Sequence, residues 1–136
     1  MGEKQTDKRH DFGRHCEFMA RTYLEQQGYL ILETNWHSGH KEIDIIAKDG
    51  EMLVIVEVKA RKNEDITNAE DAVDEKKIRN LIRATHNYIL LKGLDCDVRF
   101  DIITLVLDDK GEYKLKHIKD AFLPKSETNA NLLTSA

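Results

Sequence analysis

Proline is nearly absent from this sequence, with one in 136 residues, and a hydrophobic content of 40% suits one domain with one core and no room for a second. The expected domain covers residues 1–124, leaving 125–136 as a disordered tail. No stretch approaches the roughly 18 apolar residues that a membrane span needs, and the start is polar rather than signal-like. A soluble, cytoplasmic protein with no membrane partner is expected. Only two cysteines occur, Cys16 and Cys96, far apart and without a secretory feature, which predicts reduced thiols. An excess of positive charge is missing too. With 21 basic and 25 acidic residues the net charge is -4, which excludes coating of nucleic acid by bulk electrostatics and requires any phosphate contact to come from local patches. The opening Gly2 and Thr6 fit a loose myristoylation pattern that chance explains. There is no internal repeat.

What is there is a clear order of elements. After polar, loose residues 1–11, Cys16, Met19, Ala20, Tyr23 and Leu24 recur at helical spacing and Gly28 closes the run, predicting a helix over 12–27. Residues 29–34 read as a strand and 35–41 as a loop. Two β-branched stretches, 42–48 and 51–60, flank Asp49-Gly50, a strong hairpin signal. A polar segment over 61–68 follows. Ile78, Leu81, Ile82, Thr85 and Ile89 then mark a second helix with Asp74 as its N-cap and Gly93 as its stop. Strands over 98–107 and 112–118 close the pattern, which predicts an α/β sandwich around a mixed sheet.

A two-residue turn at Asp49-Gly50 would pair Lys48 with Glu51, Ile46 with Leu53, Asp44 with Ile55 and Glu42 with Glu57. Alternation then puts Glu42, Asp44, Glu57 and Lys59 on one face at the open end. A solvated strand face is the bland explanation of such charges. Apolar residues on both faces argue against it: Ile43, Ile45, Ala47, Val54, Val56 and Val58 line one face, while Ile46, Leu53 and Ile55 share the charged one. Acids at the end of a doubly covered strand lose hydration and repel one another, which costs several kcal/mol without a cation or strong hydrogen bonds. Mg²⁺, or Mn²⁺ in its place, would relieve this with two carboxylates, waters and substrate phosphate oxygens, and Lys59 could orient the nucleophile or stabilise developing charge.

These residues also carry a family resemblance. Asp44 followed by Glu57-Val58-Lys59 resembles the PD-(D/E)XK nuclease core. Together with Glu17, Gly28-Tyr29, Glu42-Ile43-Asp44-Ile45-Ile46-Ala47, Ala60-Arg61, Lys77 and Arg99-Phe100-Asp101, the chain is similar over about 13–107 to the bacterial YraN-like family, itself similar to archaeal Holliday junction resolvases. The resemblance implies a restriction-endonuclease-like fold and a metal-dependent nuclease acting on DNA, branched or processed DNA included, with RNA left open and a homodimer allowed. It assigns Asp44 and Glu57 as metal ligands, Lys59 as the catalytic lysine, Glu17 as a helix-borne acid near the metal, and Arg61, Lys77 and Arg99 as nucleic-acid contacts. Glu42 is a secondary candidate. Cys16 and Lys41 stand where glycines are expected in this family.

Other readings compete. Glu17 could instead pair with Arg21 one helical turn on. His15, Cys16, His37 and His40 could in principle hold zinc, but their spacing matches no trusted pattern. Lys76, Arg79 and Arg83 form either a phosphate grip or a solvated helix face, and Trp36 and Tyr29 are either base-stacking or core. The rival to an enzyme is a catalytically silent domain of the same fold that binds nucleic acid or a protein partner.

Overall fold

A computed structural model describes residues 2–63 and 75–122. The elements run α1 (Gly2–Gln26), β1 (Leu30–Ser38), β2 (Lys41–Asp49), β3 (Met52–Lys62), α2 (Glu75–Lys92), β4 (Val98–Leu107) and β5 (Tyr113–Ile118). The strands form a single mixed sheet in the order β1-β2-β3-β4-β5. Among the described strands only β3 and β4 are parallel, and α2 lies in the crossover that a parallel pair requires. This is the α/β architecture of a restriction-endonuclease-like core, as the sequence predicts.

Each face of the sheet is buried under one helix. Cys16, Ala20 and Leu24 of α1 pack on Ile45, Ala47, Val54, Val56, Ile103 and Leu105. Leu81, Ile82, Ala84, Tyr88 and Ile89 of α2 pack on Ile43, Ile46, Leu53, Ile55 and Phe100. Both helices end as their glycines foretell. Gly93 has φ +63°, and the Gly93 and Leu94 amides donate to Leu90 and Ile89. That is the paired bonding of a Schellman cap, in which a left-handed residue closes the helix.

Several boundaries differ from the sequence-based expectation. The first helix begins at Gly2 rather than near residue 12, because residues 2–11 are polar and leave no hydrophobic period to detect, although Glu3, Lys4, Gln5, Lys8 and Arg9 are good helix formers. β1 runs on through most of the expected loop, so that only Gly39 and His40 turn. Asn35 enters the strand with φ +51°, and the pairing register shifts between Ile31 and Glu33. The hairpin register is displaced by two residues: Asp49 pairs with Met52 and Ile46 with Ile55, so Gly50-Glu51 forms the turn. Gly50 therefore takes the first central position with φ +61°, where type II′ hairpins accept glycine. The face alternation also breaks at Asp44, since Ile43 packs beneath α2 while Ile45 packs beneath α1. The expected N-cap Asp74, most of the polar segment over 61–68, and the tail lie outside the described residues.

Candidate active site

The corrected register sets the centre. The pairing of β2 with β3 ends at Ile45–Val56, one residue short of Asp44 on β2 and of Glu57 on β3, and the Glu57 charge acts on Asp44. No ladder bond forms there. Instead Asp44 Oδ2 accepts the Val58 N–H at 2.9 Å, so a side chain replaces the neighbouring strand as partner of that amide. Burial raises the Asp44 carboxyl most, the Glu57 charge adds to it, the Val58 bond opposes it, and Glu17 and Glu42 push the same way as Glu57, leaving a pKa of about 7. An acid this perturbed in a cleft is a functional-site signature.

Glu57 is only 4% exposed, on the central strand β3. Its Oε1 lies 3.5 Å from Lys59 Nζ and 3.6 Å from Lys77 Nζ, while its buried Oε2 has no hydrogen-bond partner among the described residues. Lys77 comes from α2, so the crossover helix supplies a second cation to the same oxygen as Lys59. Sequence reasoning placed Lys77 on nucleic acid and missed this contact, which depends on how α2 docks.

On the other side of Asp44, a cleft of about 210 Å³ is lined by Arg14, Glu17, Phe18 and Arg21 of α1, Thr34 and Asn35 of β1, and Asp44 and Ile45. Glu17 therefore faces Asp44 across this cleft. Glu42 is exposed at the rim, 3.9 Å from His37. Arg14, Phe18 and Arg21 went unnoticed as site candidates, although their spacing of three and four residues on α1 puts them on one helix face with Glu17.

Two expected nucleic-acid contacts lie apart from the acids. Arg61 turns its guanidinium back onto the Ala60 carbonyl at 2.9 Å. Arg99 is bound at the start of β4 by Asp101, through Nε at 2.9 Å and Nη2 at 3.0 Å, by Asp49 at 3.2 Å and by the Tyr29 hydroxyl. Asp101 is fully buried and also meets His117 Nε2 at 2.7 Å, and Tyr23 closes the chain at His117 Nδ1. Burial alone would raise the Asp101 carboxyl, but its bonds to His117, Arg99 and the Asp120 amide together hold it below its usual range. Arg99 is thus a structural member of a buried network, not a projecting phosphate contact.

Trp36 meets Tyr88 edge-on with ring centroids 5.1 Å apart, and Tyr29 is 6% exposed, so both serve the core. Cys16 is fully buried on the sheet-facing side of α1, and burial lifts its thiol to about 11, while His15 packs on Tyr113. The zinc alternative therefore finds no assembled ligands. Among the described residues no three acidic, histidine or cysteine side chains converge closely enough to hold a metal by themselves. Two carboxylates are what a hydrated Mg²⁺ uses, and the orphaned Glu57 Oε2 beside the desolvated Asp44 fits that demand. Among the described residues no helix is long and apolar enough to cross a membrane.

Comparison with known proteins agrees with the resemblance read from the residues. Residues 16–105, which hold Glu17, Asp44, Glu57, Lys59 and Lys77, match the profile of the family described as Uncharacterised protein family UPF0102. A UPF0102 protein of Parabacteroides distasonis is 45% identical over 115 residues, covering 85% of this chain and 94% of that protein. UPF0102 proteins of Phocaeicola vulgatus and Chlorobium chlorochromatii are 46% and 44% identical, covering 84% and 82% of this chain and 93% and 91% of theirs. This chain belongs to family UPF0102, the YraN-like family.

Proposed function

We propose that this chain is a metal-dependent nuclease of the cytoplasm that hydrolyses phosphodiester bonds in DNA. The observation that carries the reading is the pair Asp44 and Glu57: two desolvated carboxylates lie close enough to repel, and one buried oxygen, Glu57 Oε2, has no partner among the described residues. Asp44 and Glu57 would hold Mg²⁺ or Mn²⁺, which when bound polarises a phosphate oxygen and lowers the pKa of water. Lys59, largely buried beside Glu57, would supply a positive charge to the negative charge that develops on the attacked phosphoryl group. Lys77, more exposed, offers a second charge toward the substrate. Glu17 across the cleft from Asp44 is positioned to orient the attacking water. Branched or processed DNA is the substrate class suggested by the family's similarity to junction resolvases, and a homodimer would serve a two-strand cut.

A second reading rests on one contact pair. Lys59 and Lys77 both approach Glu57 Oε1, which compensates that carboxylate without a metal and suits a silent nucleic-acid-binding or scaffold domain. Calorimetric titration of Mg²⁺ and Mn²⁺ into the wild type and an Asp44→Asn/Glu57→Gln variant, followed by cleavage assays on linear and branched DNA, separates the two. The nuclease reading expects saturable metal binding and metal-dependent cleavage, both lost in the variant. Absence of both from the wild type leaves the scaffold.

A further inference from the structure

Phe18 is a large apolar side chain left 54% exposed on α1, in the wall of the cleft that holds Asp44. Its ring is held in place, because the Arg21 guanidinium lies 5.3 Å from the ring centre. Four charged groups line the same cleft: Arg14 and Arg21 are cationic, and Glu17 and Asp44 are acidic. Thr34 and Asn35 add polar groups from β1, where Asn35 holds φ +51°. The cleft thus combines an aromatic face, two guanidinium groups and polar donors, and it leads to the proposed catalytic acids. Aromatic faces with cationic neighbours bind single-stranded nucleic acid by stacking on bases and tracking phosphates. A duplex would waste such an arrangement, since its bases are already stacked inside and only its phosphates would reach Phe18.

We propose that this cleft receives an unpaired nucleotide of the DNA strand being cut, with its base stacked on Phe18 and its flanking phosphates held by Arg14 and Arg21. This rests on the nuclease reading for the fate of the strand, but the strand-binding step itself does not need turnover. It specifies the substrate class: DNA with a single-stranded segment next to the scissile bond, such as a flap, a gap or an opened branch point. Stacking does not depend on base identity, so sequence preference is weak. Glu17 and Asp44 repel phosphate in the absence of a cation, which makes strand binding stronger when a divalent ion is present.

The test is equilibrium binding of the full chain, in Ca²⁺, to a fluorescein-labelled oligothymidylate and to a blunt duplex of equal length. A single-stranded oligonucleotide carrying 2-aminopurine reports stacking directly. The wild type is expected to bind the single strand more tightly than the duplex and to change 2-aminopurine emission. Phe18→Ala should weaken single-strand binding about tenfold to a hundredfold and abolish the emission change. Phe18→Trp should restore both, and the exposure of this position lets unchanged melting temperatures confirm that each variant folds. Equal affinity for single strand and duplex, undiminished binding by Phe18→Ala, or no binding of either oligonucleotide overturns the proposal. Cleavage assays judge the nuclease reading separately: a chain that binds and stacks the single strand but never cuts keeps this inference and loses that one.

Discussion

Asp44 and Val58 are joined where β2 and β3 cease to be joined by their backbones: the carboxylate takes the amide proton that the ladder would otherwise use. This bond holds Asp44 near Glu57 despite their mutual repulsion, and it anchors the acid to the strand that carries Glu57 and Lys59. The centre is therefore held under electrostatic strain by ordinary strand geometry.

Asp44 makes the stability of the metal-free protein depend on pH. Its folded pKa of about 7 lies above the unfolded value near 4, so the folded state binds the proton more tightly. Thermal stability without divalent ions should therefore rise as pH falls from 8 toward 5. Asp44→Asn should flatten that rise and raise the melting temperature at pH 8, since its amide oxygen still accepts from Val58. An unchanged slope in the variant, measured by calorimetry in a chelator, would count against this assignment.

Asp101 acts in the opposite sense and at lower pH. Its folded pKa is depressed by His117, Arg99 and the Asp120 amide, so its stabilisation is present above the unfolded value and is lost as pH falls through the folded one. Asp101→Asn removes the doubly bonded anionic partner of a largely buried Arg99, leaving only the half-exposed Asp49 to balance it, and should destabilise the protein by about 3 kcal/mol in urea titrations. A loss under 1 kcal/mol would mean that the network is incidental.

Lys59 and Lys77 touch the same oxygen but should not be equivalent. Lys59→Met is expected to lower cleavage about a hundredfold to a thousandfold while leaving calorimetric metal binding measurable, as loss of a transition-state charge does. Lys77→Met, at a side chain 41% exposed, should cost less. The reverse order would assign the catalytic charge to α2.

Gly93→Ala should destabilise the protein by about 1 kcal/mol, because alanine must adopt φ +63° to keep the cap of α2. Urea midpoints of the variant and wild type measure it directly.

The sequence made the sheet legible because its strands are β-branched and its turns carry glycine. Face alternation put Glu57 and Lys59 together correctly even though the register was two residues out, since a slip of two preserves the face. The slip itself came from centring the turn on Asp49-Gly50 instead of Gly50-Glu51. The closeness of Asp44 and Glu57 was hidden by that error, and the break in alternation at Asp44 has no periodic signal at all. Polar residues 2–11 conceal the start of a helix because they offer no hydrophobic period. Arg99 reads as a phosphate contact until the fold brings Asp49, Asp101 and Tyr29 around it. Phe18 carries no signal in the helical pattern, and only the folded chain brings it into the cleft that holds Asp44.

The two-residue turn between β2 and β3 bears on how the chain reaches this state. Hairpin contacts close over short loops, whereas the parallel pairing of Leu53 with Val98 must wait for the α2 crossover, and such distant contacts are slow to form. On this order Asp44 and Glu57 should meet before Lys77 arrives to offset them. A divalent cation should accordingly speed refolding as well as oppose unfolding. Stopped-flow fluorescence of Trp36, the sole tryptophan, would register that as a faster refolding rate in Mg²⁺ than in a chelator.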